Sequence, residues 1–310
     1  MVKFWAQRAD RMNGPTVRPL TVEDTDALLE MIHDSPVSNL FPLEHYERIG
    51  LPRPSFLTKM HSASPFVGVF EDTPDEEFPV LRGCVWFGVN IVPLHLEPRH
   101  VPRVADYILR TRKRPASVFG PAEFVMPLWE LLRGTFPTPF DVRPHQPLLV
   151  QTDLEGSPRI AERASAPGLS RVRWADEEDV EALVPASVSM FTEEVGYSPL
   201  SRDPEGYLRR VRETVRSGRT VLATDLDGDV IFKTDLGLAT QGMCQLQGVW
   251  LAPRLRGQGL SESFLAQACE LIRPRFPTIS LYVNDYNSPA RSLYKAVGFE
   301  EIGAFSTVLL

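Results

Sequence analysis

Cysteine is scarce in this sequence. Cys84, Cys244 and Cys269 are its only three in 310 residues, odd in number, widely spaced and without a CxxC pair. That pattern excludes a disulfide framework and a thiolate zinc site, and it fits reduced, mostly buried thiols in a cytoplasm. The six histidines are equally dispersed. His95 and His100 are the closest pair and have no companion at ligand spacing, so no metal is expected. Long apolar runs are absent too. Nothing approaches the roughly 18 apolar residues of a spanning helix, and Met1 to Pro15 lacks the apolar stretch of a signal peptide. A cytoplasmic chain with no membrane association is the expectation.

Positive charge is in deficit. Thirty-three lysines and arginines face 40 aspartates and glutamates, a net charge of −7, which disfavours nucleic acid as a partner. One basic stretch (Arg99, Arg103, Arg110, Arg112, Lys113, Arg114) reads as a solvated helix end followed by a loop.

What is present describes a globular chain: 43% hydrophobic and 24% charged residues, with 28 prolines scattered rather than clustered. The length suits two domains of about 150 residues each. The expected division is a domain at 1–150, a turn-rich linker at 151–169 and a second domain at 170–310. A repeat supports it. Val17-Arg18, Glu23-Asp24 and Ala27-Leu28 recur without a gap as Val172-Arg173, Glu178-Asp179 and Ala182-Leu183, an offset of 155 (172 − 17). Each copy reads as a short strand, a turn with capping acids and an amphipathic helix, which suggests duplication.

Both halves continue as mixed α and β. In the first, Pro65 to Phe70, Val80 to Ile91 and Ala116 to Phe119 read as strands, and Pro98 to Thr111 as a helix. In the second, strands at Thr220 to Leu226 and Val230 to Leu238 flank an Asp227-Gly228 hairpin turn. Met243 to Leu251, a helix at Leu260 to Ile272, a strand at Ile279 to Val283, a helix at Pro289 to Val297 and a last strand follow. The fold class expected is α/β (α+β, mixed sheet).

The stretch after Leu251 carries the chemistry. Apolar residues at Leu260, Phe264, Leu265, Ala268, Leu271 and Ile272 mark one helix face, so Arg256-Gly257-Gln258-Gly259-Leu260-Ser261 is a glycine-bearing turn between a strand and a helix N-terminus. Such a turn aims backbone N–H groups and the positive end of the helix dipole at one point, where a phosphate fits. A plain strand-to-helix turn has the same composition.

This loop resembles the acetyl-CoA motif of the GNAT family of N-acetyltransferases. Arg256 and Gly259 match the pattern, and Ser261 stands where the family has glycine or alanine. A second motif strengthens the resemblance: Asn287, Ser288-Pro289-Ala290, Tyr294 and Gly298-Phe299. The runs Met190 to Pro199 and Leu281 to Asn287 further resemble a two-module actinobacterial GNAT type whose N-terminal domain is uncharacterised. The first half has no glycine loop: the offset of 155 places Val101 to Asp106 there. A helix beginning Pro121-Ala122 resembles Pro289-Ala290 at a different offset (121 against 289), and in it Met126 stands where Tyr294 would. The resemblance therefore implies tandem GNAT-like domains, the N-terminal one degenerate.

It also implies roles. Val249, Trp250 and Leu251 would line the pantetheine arm, with a backbone N–H near Leu251 polarising the thioester. Arg256, Gly257, Gln258, Gly259, Leu260, Ser261 and Glu262 would hold the pyrophosphate, and Asn287 the arm or its loop. Tyr294 would be the general acid. Glu193, Glu194 and Asp285 are the open alternatives for the general base, and Tyr282 is a residue of the acceptor pocket or of the core. The expected activity is acetyl transfer from acetyl-CoA to an amine of a small molecule or peptide, by a protein that is a candidate homodimer. A non-catalytic acyl-CoA sensor and an aminoacyl transferase using charged tRNA are the competing readings.

Overall fold

The computed structural model describes residues 14–54, 64–151, 168–201 and 203–310. The first 13 residues and nearly all of the expected linker lie outside them. The chain forms two compact units, one comprising Met1–Leu148 with Gly303–Leu310 and the other Leu149–Ile302.

In the first unit, β1 (Thr16–Pro19) leads through a single 3-10 turn into α1 (Thr25–Asp34) and α2 (Leu40–Ile49). There follow β2 (Phe66–Glu71), β3 (Val80–Phe87), β4 (Asn90–His95), α3 (Val101–Thr111), β5 (Ser117–Pro121), α4 (Ala122–Leu132) and β6 (Asp141–Gln151), whose last three residues belong to the second unit. Strands β1 to β4 pair antiparallel in chain order, and β4 and β5 are parallel. The core joins Val69, Phe87, Ile91 and Val118 of the sheet to Val104 and Ile108 of α3 and Leu128 of α4. The single strand expected at Val80 to Ile91 is two strands. Gly88 and Val89 turn the chain between them, with Val89 74% exposed. Burial on both faces had removed the polar alternation that would mark the turn.

The second unit repeats the order. It runs β7 (Arg173–Trp174), a 3-10 turn, α5 (Val180–Val195), α6 (Pro204–Arg216), β8 (Thr220–Thr224), β9 (Val230–Thr240) and β10 (Met243–Leu251). Then come α7 (Leu260–Ile272), β11 (Thr278–Tyr282), α8 (Ser288–Ala296) and β12 (Phe299–Leu309). Strands β7 to β10 pair antiparallel and β10 and β11 are parallel. Phe264 of α7 stacks on Phe232 of β9 at 5.5 Å, and eight of the helix's 13 residues are buried. Each large apolar side chain so covered contributes about 2 kcal/mol. Buried Gln267 on that helix is satisfied by accepting from the Val172 amide at 3.0 Å. Helices α2 and α6 gave no sequence signal that we recognised; in α6, apolar Tyr207, Val211 and Val215 are interleaved with arginines.

The repeated residues do the same work in both units. Arg18 donates twice to Asp24 (2.8 and 2.7 Å), and Arg173 donates twice to Asp179 (2.6 and 2.6 Å). Each aspartate also accepts the backbone N–H that opens its turn, from Thr21 and from Asp176. Leu28 and Leu183, again 155 apart, are both fully buried. Burial pushes the Asp24 carboxyl up, but the Arg18 and Thr21 hydrogen bonds outweigh it and hold it below the usual range. At Asp179 the Arg173 hydrogen bond is the leading influence, in the same direction.

The last strand is shared. Phe299–Ile302 of β12 belong to the second unit, whereas Phe305–Leu309 pair antiparallel with β5 of the first. Val308 is fully buried and Phe305 nearly so.

Candidate active site

Between β10 and α7 the chain makes a short 3-10 turn (Pro253–Leu255) and then an exposed loop. Gly257 and Gly259 both have φ +74°, and a Cβ at either would meet nothing within 4 Å. Their need for glycine is therefore conformational, since an L side chain in that region costs roughly 1–2 kcal/mol. Gly259 is the N-cap of α7 and no side chain caps the helix. The first-turn amides at Leu260, Ser261 and Glu262 are thus unclaimed by any capping side chain, at the positive end of the dipole and beside open space. An anion with several oxygens fits that cradle.

The strand before the loop is released on both sides. Its parallel ladder with β11 covers only Met243 to Gln245. On the other side, the register with β9 jumps from Gln247 (opposite Asp235) to Trp250 (opposite Lys233). Gly248 and Val249 are therefore a bulge facing one residue, Thr234. Gly248 has φ +60°, and a Cβ there would lie 2.8 Å from Met190 Cε of α5. A bulge free of both ladders presents backbone groups that an extended ligand can pair with.

The anticipated site residues fall into three groups. Glu193, Trp250, Leu251 and Arg256 are joined directly. Glu193 accepts from Trp250 Nε1 (3.2 Å) and Arg256 (2.8 Å), and Arg256 Nε donates to the Leu251 carbonyl at 3.0 Å. Gln258 turns back to donate to the Arg254 carbonyl at 2.9 Å. Tyr294 and Glu194 form the second group. Tyr294 is buried against Phe299, and burial first, then the Glu194 charge, pushes its phenol well above the ordinary value. Asp285 and Asn287 are the third, both exposed on the turn into α8. There the Asn287 side chain accepts from Ala290 N at 3.2 Å and so caps the helix. Tyr282, half-buried, ends β11.

Sequence reading missed the charges beneath the bulge. Lys233 Nζ donates to Asp235 at 2.5 Å, and Asp235 accepts from Thr220 at 2.7 Å. Two charges alternating inside an otherwise apolar strand (Ile231-Phe-Lys-Thr-Asp-Leu236) were the available signal. The three cysteines are buried and free, their thiols pushed up by burial. Among the described residues no group of three or more His, Cys, Asp or Glu is placed to hold a metal, and no helix is long and apolar enough to cross a membrane.

Residues 235–308 match the model of the FR47-like protein family, and residues 75–183 match a domain of unknown function, DUF4081. No curated protein matches the chain. Among solved structures, a GCN5-related N-acetyltransferase from Sphaerobacter thermophilus is similar over 95% of this chain and 94% of its own, with TM-score 0.59 and 15% identity. A Drosophila protein is similar over 96% and 99%, with TM-score 0.58 and 15% identity. A tandem GNAT protein from the clavulanic acid pathway covers 94% and 98%, with TM-score 0.50 and 14% identity. The chain is a tandem protein of the GNAT fold. Its first GNAT-like unit is the degenerate one. The offset of 155 misplaces the loop there, because Val101 to Asp106 lie inside α3. The equivalent segment is Leu96–His100, shorter and without glycine, so the alignment slips where the two loops differ in length. Met126 of α4 lines an open groove with Trp129 and Phe136.

Proposed function

We propose that the second unit is an acetyl-CoA-dependent N-acetyltransferase acting on an amine of a small molecule or peptide. The observation that carries this is one chain segment bearing both halves of a cosubstrate site: the bulge at Gly248-Val249 and, a few residues on, the uncapped α7 N-terminus behind Gly257 and Gly259. The cradle suits the pyrophosphate, and the released strand suits the amide-bearing arm.

Amine attack forms a C–N bond at the thioester carbonyl and breaks the C–S bond. A bulge N–H donates to the carbonyl oxygen as charge grows there. Tyr294 stays protonated through the neutral range, because burial and the Glu194 charge both oppose its ionisation, and it donates to the departing sulfur. The amine's proton goes to a carboxylate. Glu193 is committed to Trp250 and Arg256, and Asp285 is exposed beyond β11. Glu194, whose charge is felt at Tyr294, is the base in this reading. The first unit is a scaffold that binds no acetyl-CoA.

Calorimetric titration with acetyl-CoA, beside a Gly259→Asp variant, tests the reading. Saturable binding by the parent, weakened at least ~100-fold in the variant by strain and repulsion, is expected. Thiol release over an amine panel then separates an enzyme from an acyl-CoA sensor. No binding by the parent would overturn the proposal.

A further inference from the structure

Lys233 is 1% exposed, an ammonium deep inside the second unit. A buried ion pair is no more stabilising than a well-packed apolar pair, so its presence in the core wants a reason other than stability. Its surroundings supply one. An ammonium has three donors, and among the described residues Asp235 is its one hydrogen-bond partner. Asp235 is itself held by Thr220. Lys233 stands opposite Trp250, just past the bulge, and a Cβ at Gly248 would lie 3.7 Å from its Nζ. Because position 248 is glycine, it places no side chain of its own between the ammonium and the bulge backbone, and the flexible Met190 thioether is the other group against that position. Met190 and Glu193 of α5, through Gly248 and Trp250, show that the helix covers this same face.

We propose that Lys233, braced by Asp235, is a charged donor to the acyl carbonyl at the Gly248 bulge. Asp235 and Thr220 are positioning residues: they fix the ammonium before the ligand arrives, so little reorganisation accompanies the growth of negative charge on oxygen. A fixed positive charge in a water-poor site stabilises that oxygen far more than it would in water. The proposal rests on acetyl-CoA being the second unit's ligand, and its test separates the two.

Lys233→Met alone leaves the half-buried Asp235 carboxylate without its cation and can destabilise the unit. The charge-balanced Lys233→Met/Asp235→Asn pair is made beside it, and folding is checked by circular dichroism. Each protein is titrated with acetyl-CoA and with S-ethyl-CoA, a thioether without the carbonyl. The infrared stretch of carbonyl-labelled acetyl-CoA is then recorded bound and free. In the parent the stretch moves to lower frequency on binding and acetyl-CoA binds more tightly than the thioether. In the double variant the shift and the preference both disappear, S-ethyl-CoA affinity stays, and any turnover falls about 100-fold. An unchanged carbonyl shift in a folded double variant overturns the role of Lys233 and leaves the cosubstrate reading standing. Failure of the parent to bind either compound overturns the cosubstrate reading first.

Discussion

The two units share an element order and an Arg–Asp clasp, and they part company at the helix that follows the fourth strand of each. In the second unit eight residues (Ala252–Gly259) lead into α7, two of them glycines at φ +74° beside open space. In the first, five residues (Leu96–His100) lead into α3, and the turn is filled with side chains. His100 is fully buried and bonds Glu71 at 2.8 Å, while Arg99 bridges Glu71 and Glu97. The His100 hydrogen bond is the main reason the Glu71 carboxyl sits below its usual range. Neither helix is capped by a side chain, so the two loops differ in length and in what they carry: two glycines in one, and in the other a buried imidazole beside three charged groups. The strands and helices keep their order in both units, and the difference is confined to this loop.

The largest effect that would break the symmetry is expected at the C-terminus. Truncation after Ile302 removes the strand segment paired with β5, including buried Phe305 and Val308, and each of those side chains contributes about 2 kcal/mol. Hydrogen exchange by mass spectrometry should show protection lost across residues 64–148 and largely kept across 220–283. Equal loss in both would mean that the units do not fold separately. Next in size, Tyr294→Phe should lower thiol release about 100-fold with acetyl-CoA affinity unchanged. The reciprocal change in the first unit, Met126→Tyr, should alter neither. A parallel fall in affinity would make Tyr294 a packing residue only.

Smaller effects sharpen the shared feature. Arg18→Met and Arg173→Met should each cost about 1 kcal/mol in urea denaturation, a value already discounted for the half-exposed arginines. Arg18→Met should cost the more, since burial is the leading influence at Asp24 and the hydrogen bond is the leading one at Asp179. The smallest effect is in acid. Both aspartates have folded pKa values below the unfolded value of about 3.9. Their contribution is complete above that pH and fades as pH falls through the folded values. Unfolding midpoints measured from pH 6 downward should therefore hold for the parent until about pH 4 and then fall. The Arg173→Met variant, already less stable at pH 6, should lose less over the same window, because its Asp179 no longer has a folded pKa lowered by the arginine. Identical profiles would remove the clasp from the acid response.

Much of this protein was legible in its residues because the signals were local. The glycine turn and the apolar face of α7 gave that helix its observed bounds, and the offset of 155 matched the residues of the clasp, though it read the aspartates only as capping acids. The slip at Val101 came from assuming that one offset holds past a loop that is shorter in the first unit. Periodicity marked amphipathic helices, and it missed the turn at Gly88-Val89, where both neighbouring strands are buried.

By itself the sequence determined the mixed αβ class, the repeat and the loop whose backbone needs glycine, since each rests on short local patterns. Only the tertiary structure decided that the final strand completes the first unit, that Glu193 is bound to Trp250 and Arg256, and that Lys233 and Asp235 lie beneath the bulge. Those are contacts between residues far apart in the chain, and side-chain packing sets them.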